Sequence, residues 1–139
     1  MTISMDTASE LARVAFAEGL KQNLVVMSVV VTDPGGHIRL AMRADAQGIF
    51  GVDTALGKAR SALGFNRSSL LLSKTFVDAC AVSAITAATR GAFVPLGGGV
   101  VLQKDGVTVG AAAISGGMPD VDDAIVRTAA EAVGLTALA

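Results

Sequence analysis

A chain of 139 residues without an internal break in composition is sized for a single domain, residues 1–139, with one real core. Its net charge of -1 and pI near 5.7 lack the basic footprint of a nucleic-acid binder, and no Lys/Arg cluster offers itself to an anionic membrane. Mean hydropathy is +0.60 with only 17% charged residues, yet the most apolar run, Leu24 to Val31, already contains Ser28 and is far shorter than the roughly 18 residues of a membrane span. That apolarity predicts a subunit burying surface against copies of itself, as a dimer or larger.

Along the chain, Thr7 to Glu10 has the form of a capping box, with Thr7 as N-cap and Glu10 reaching back from the third helical position. Leu11, Ala12, Ala15, Phe16, Gly19 and Leu20 follow at helical spacing, so a first helix is expected to end near Asn23. Leu24 to Thr32 is β-branched and apolar on both faces, the pattern of a covered strand. Asp33 to Gly36 supplies turn chemistry, and His37 to Arg43 alternates with period two, Ile38, Leu40 and Met42 to one face and His37, Arg39, Ala41 and Arg43 to the other. This is an antiparallel hairpin. After a loop over 44–51, residues 52–65 are expected to be helical with Val52, Leu56, Ala59 and Leu63 on the apolar stripe. A turn region is expected over 66–71, and an Ala-rich helix over 74–89 that packs closely against a neighbour.

Beyond Gly97-Gly98-Gly99, Val100 to Lys104 and Val107 to Ile114 flank Asp105-Gly106, a two-residue hairpin signal. Ser115-Gly116-Gly117 ends the returning strand. Pro119 suits the first turn of a closing helix, Asp120, Asp122 and Asp123 read as its solvated, dipole-favoured start, and Gly134 is its stop. Two hairpins among helices predict an α+β fold, an antiparallel sheet under helical cover.

Few groups can carry chemistry. One His, one Cys and no closely spaced ligand pair leave no zinc or iron site expected. Cys80, among Ala, Val and Ile, reads as a buried thiol without a disulfide partner. With residues 1–12 lacking a basic stretch followed by an apolar one, the cytoplasm is the expected compartment. His37, directly after a tight turn, is expected in solvent. Neither glycine cluster has the spacing of a phosphate loop, and both read first as places of close backbone approach.

Lys58 lies at the border of its helix's apolar stripe, either snorkelling or aimed into a pocket among small side chains. With Arg43, which closes the second strand, it forms a candidate carboxylate site, Arg43 a bidentate fork and Lys58 a point charge. The expected cleft lies between the second helix and the hairpin, with Gly97, Gly98 and Gly99 as its opposite wall. Asp45 and Asp53 are the in-chain groups expected to neutralise the cations if the site is structural.

Several segments, in order, resemble the GlcG/HbpS family: Val29 to Ile38 with Met42 to Asp45, Thr54 to Phe65, Phe93 to Val100, Asp105 to Gly110, and Ser115 to Ala124. The resemblance spans roughly residues 6 to 133. It implies a profilin-like fold and dimers that build larger, often octameric, rings. It also implies a choice of functions, since members include haem-binding sensors, the accessory protein of a glycolate oxidation cluster, and a domain fused to corrinoid adenosyltransferases. Haem is thus a carried-over cofactor, although a tightly held haem wants an axial His, Cys, Met or Tyr, and the chain has no Tyr.

The first functional expectation is an oligomeric small-ligand-binding protein, taking haem or a small anionic catabolic intermediate. The alternative is a cofactor-independent lyase or isomerase acting on a small carboxylate. There Lys58 is the base or clamp, Arg43 fixes the carboxylate, and Ser115 with the backbone N–H groups of Gly97 to Gly99 stabilises an enolate oxygen. A structural subunit of a larger complex is a third reading.

Overall fold

The computed structural model describes residues 1–139. Helix α1 (Met5–Lys21) is capped at Ser4, three residues before the expected cap. Ser4 Oγ, not Thr7, accepts the first free N–H, that of Thr7 at 3.1 Å, and Glu10 turns outward to Arg13. The helix ends as expected near Asn23, which takes a positive φ while Leu24 N–H closes onto Gly19 O.

Strand β1 (Ser28–Thr32) is buried throughout and pairs antiparallel with the exposed β2 (Ile38–Arg43). Asp33 Oδ1 shapes their turn by accepting the N–H groups of Gly35 and His37. Helix α2 (Gly51–Phe65) follows, then α3 (Ser69–Thr75) and α4 (Ala79–Ala88). The second hairpin is β3 (Gly99–Lys104) with β4 (Val107–Ser115), then α5 (Pro119–Ala132) and a two-residue β5 (Thr136–Ala137) against β3. The sheet order is β2-β1-β4-β3-β5, all antiparallel, so the two hairpins join through β1 and β4, with Ser28 opposite Ser115.

The expected α+β class and profilin-like sheet are present. The region from 66 to 89 departs from expectation. Ser68 caps a short α3 by accepting Leu71 N–H, where a turn was expected. The single helix expected over 74–89 is broken at Phe76, whose ring packs against Phe65 and Phe93 with centroids 5.2 and 5.5 Å apart, and Asp78 caps a new start by accepting Cys80 N–H. Tertiary contact at Phe76 outweighs the helical pattern.

The two faces of the sheet are built differently. Helices α1 and α5 cover one face over a core of large side chains, Leu11 and Ile125 from the helices and Met27 and Ile114 from the sheet side among them. On the other face α2 lies over Val30, Ala111 and Ala113 through Ala55 and Ala59. Small residues let it come close. A Cβ on Gly99 would stand 2.5 Å from the Lys58 carbonyl oxygen, and one on Gly57 would meet Val94 at 2.3 Å.

Helix α4 does not pack closely against a neighbour. It approaches no other helix or strand and buries none of its residues.

Candidate functional site

Directly opposed residues of an antiparallel ladder share a face. Arg43, Ser28 and Ser115 therefore form one row across β2, β1 and β4, on the α2 side where Val30 and Ala113 also point. The loop from β2 returns over this row to start α2 at Gly51. Ser115 Oγ donates to Gly51 O at 2.5 Å, pinning the sheet to that helix end. Phe50, the N-cap residue, supplies no side-chain hydrogen bond there.

Beside this junction is an open groove of about 490 Å³, walled by Val26, Gln47, Ile49, Phe50, Ser115 and Gly116. No charged residue lines it. Ile49 and Phe50 stand 73% and 71% exposed, an apolar pair held in water by a loop. Two polar oxygens nearby lack partners, Gln47 Oε1 in the wall and Ser28 Oγ next to Ser115 in the ladder, although both are buried. Thr32 Oγ1 and Asp123 Oδ1, away from the groove, are likewise unpartnered, so it is the exposed apolar pair that sets this place apart.

Of the residues the sequence nominated, Ser115 lines this groove, and Arg43 lies at the solvent end of its row without an ion pair. Lys58 does not join Arg43. Its amino group is buried and donates to Ile114 O at 2.8 Å and to Asp122 Oδ2 at 3.1 Å, while Asp122 Oδ1 accepts Gly117 N–H at 3.0 Å. Its neutralising partner is therefore Asp122 on α5, not Asp45 or Asp53. Desolvation pulls Lys58 below the usual lysine range and lifts Asp122 above the usual carboxylate range, and each charge opposes the other's shift.

Gly98 and Gly99 do come next to Lys58 while Gly97 lies against Pro119 and Leu70, and the room their missing side chains leave is filled by protein. A Cβ on Gly97 would meet Pro119 O at 2.5 Å, and one on Gly98 would meet Ile114 O at 2.6 Å and Lys58 Nζ at 3.1 Å. They seat α2 and α5 on the sheet and wall no main cavity. The lyase or isomerase scheme loses its accessible base and its second wall here.

Two further expectations are corrected. The acidic start of α5 is largely not solvated, because Asp122 and Asp123 are buried, the latter against Arg127 at 2.7 Å. Cys80 is exposed on α4 rather than packed inside. His37 is in solvent as expected, 3.4 Å from Asp33.

Val26, Gln47, Ile49 and Phe50 were missed by sequence reasoning. The available signal was an Ile-Phe pair inside a loop, where neither strand nor helix period accounts for two large apolar side chains.

A profile of the haem degrading, HbpS-like family matches residues 3–131. A 15.0 kDa protein from the dhaT-dhaS intergenic region of Citrobacter freundii is 27% identical over 128 residues, covering 92% of this chain and 89% of that one. Among solved structures, the PduOC:heme complex superposes with a TM-score of 0.89 at 24% identity, over 100% of both chains. A double mutant of HbpS from Streptomyces reticuli superposes with a TM-score of 0.82 at 25% identity, over 96% of this chain and 88% of that one.

Proposed function

The chain belongs to the HbpS-like family, and from that premise we propose that it is an oligomeric small-ligand-binding protein whose site is the groove at the start of α2. The observation that carries this reading is the uncharged groove itself, with exposed Ile49 and Phe50 on its wall and the unpartnered oxygens of Gln47 and Ser28 at its side. Its ligand is a small, largely apolar molecule bearing a carboxylate. The apolar walls take the body, Ser115 and Gln47 offer polar contacts, and Arg43 supplies a fork for the acid group.

Haem, which one solved relative holds, fits this groove only in part. The apolar walls suit a porphyrin face, but no His, Cys, Met or Tyr lines the groove. His37 precedes β2, at the far end of that strand from Arg43, and Cys80 is on α4. A haem bound there is held by apolar contact and by its carboxylates, without an axial bond from the groove. The protein acts as one domain in the cytoplasm, where an exposed free thiol such as Cys80 is compatible with reducing conditions, and serves as accessory to a catabolic pathway.

Hemin titration followed in the Soret region tests the site. We expect broad, heterogeneous spectra with weak saturation, loss of binding in Phe50→Asp, and no change in His37→Ala. A sharp band saturating at one equivalent and lost in His37→Ala would overturn the groove as the binding site.

A further inference from the structure

A second cavity, of about 430 Å³, opens where the start of α1, the β3–β4 hairpin and the end of α5 meet. It belongs to the α1 and α5 side of the sheet and shares no residue with the groove beside α2. Its floor is aliphatic. Ile3, Val109 and Leu135 are members of the main core, only 2 to 6% exposed, and Val133 packs against that core beside them. The backbone fixes this floor, Ile3 N–H donating to Val109 O at 2.8 Å and Leu135 N–H to Ala130 O at 3.0 Å. Gly134 turns between Val133 and Leu135 with a φ of 77°, and a Cβ there would meet nothing within 4 Å. The space beside this glycine, unlike that beside Gly97 to Gly99, is not filled by protein.

The rim is polar and carries one charge. Lys104, at the end of β3, is the only charged residue in the wall, and its ammonium pairs with no carboxylate of the chain. Ser4 Oγ donates to Thr7 Oγ1 at 2.9 Å, which leaves the Thr7 hydroxyl proton without an acceptor in the chain. We propose that this cavity is a second binding site, for a small aliphatic monocarboxylate. The alkyl chain lies on Ile3, Val109, Val133 and Leu135, and the carboxylate meets Lys104 and Thr7. The volume falls in the range of roughly 300–1,000 Å³ that small ligands occupy. No aromatic ring lines the wall, so nothing there selects a flat ring over an alkyl chain. One cation answers one carboxylate. A dicarboxylate or a phosphate would bring a second charge to a wall that has nothing further to meet it.

Methyl-labelled protein titrated with octanoate, below its micelle concentration, tests the site by NMR. Saturable shifts are expected for the methyl groups of Ile3, Val109, Val133 and Leu135, while Ile49 in the groove stays unmoved. From butanoate to octanoate the affinity should rise about fourfold per methylene, as burial of an alkyl chain requires. Lys104→Gln changes an exposed side chain, and it should weaken octanoate about fivefold, the worth of a partly solvated ion pair, while leaving octanol unaffected. Val133→Trp should fill the cavity and abolish binding of both, with circular dichroism unchanged. Thr7→Val, which keeps the side-chain shape and removes the hydroxyl, gives a second reading where the tryptophan disturbs the fold, and should weaken octanoate alone. Absence of saturable shifts at millimolar octanoate overturns the site. Equal octanoate affinity in parent and Lys104→Gln overturns the assignment of the anionic head. Phe50→Asp, which removes hemin uptake if the groove is the ligand site, should leave octanoate binding intact. Loss of octanoate in Phe50→Asp, or shifts confined to Ile49, places the carboxylate in the groove and overturns the second site.

Discussion

The ammonium of Lys58 and the carboxylate of Asp122 meet where α2, β4 and the start of α5 converge, and both are out of water. Removing one member of such a pair leaves an uncompensated charge, whereas replacing both by apolar groups is often neutral. Lys58→Met is therefore expected to cost about 3–5 kcal/mol in urea denaturation at pH 7, and adding Asp122→Leu to recover most of it. The defect carries a pH signature. Burial already raises the Asp122 pKa, and without Lys58 to oppose that rise the folded variant holds its proton more strongly. A raised folded-state pKa gives stability that is present below the unfolded value and lost as pH rises. The gap between parent and Lys58→Met should then narrow from pH 7 to pH 5. A gap that stays constant would show that Asp122 finds another partner. The border position of Lys58 on its helix was legible in the sequence, but its partner was not, because Asp122 is 64 residues away and no periodicity links them.

Between elements, the close seating of α2 on β3 sets the tolerance of the fold. Gly99 has an ordinary backbone conformation, so Gly99→Ala acts through crowding against the Lys58 carbonyl and should destabilise by about 1–3 kcal/mol. Gly64, in the last turn of α2, has open space around it and no positive φ, so Gly64→Ala should stabilise by about 0.4–1 kcal/mol. Opposite signs in denaturation midpoints check the pair, and a Gly99→Ala protein as stable as its parent would mean that α2 can slide outward. The hairpins were readable because their turns are local events, written in Asp33 to Gly36 and in Asp105-Gly106, where Asp105 and Gly106 both take positive φ. The break at Phe76 was not readable, since it is set by Phe65 and Phe93 from elsewhere in the chain. Arg43 and Ser115 were named from sequence as ligand contacts. Their shared row with Ser28 appears only once β1 is known to pair with both β2 and β4.

At the scale of the whole molecule, α4 together with Val26, Ile49 and Phe50 leaves one chain with more bare apolar surface than scattered exposure accounts for. Light scattering at micromolar protein should find a dimer or larger, and a stable monomer there would sink the assembly argument. The strand order has a kinetic consequence as well. Each hairpin can form by itself from neighbouring sequence, but the sheet closes only when Ser28 to Thr32 finds Ala111 to Ser115, across more than half of the chain between them. Closing a loop of that length costs entropy before the contacts reward it, so the β1–β4 seam is the natural bottleneck of folding. Weakening the seam, as in Ala113→Gly, should slow refolding, while a substitution in the outer strand such as Met42→Ala should act mainly by speeding unfolding. Until the seam closes, β1 and β4 each present a bare apolar edge, and for that interval the chain is most open to pairing with the wrong partner.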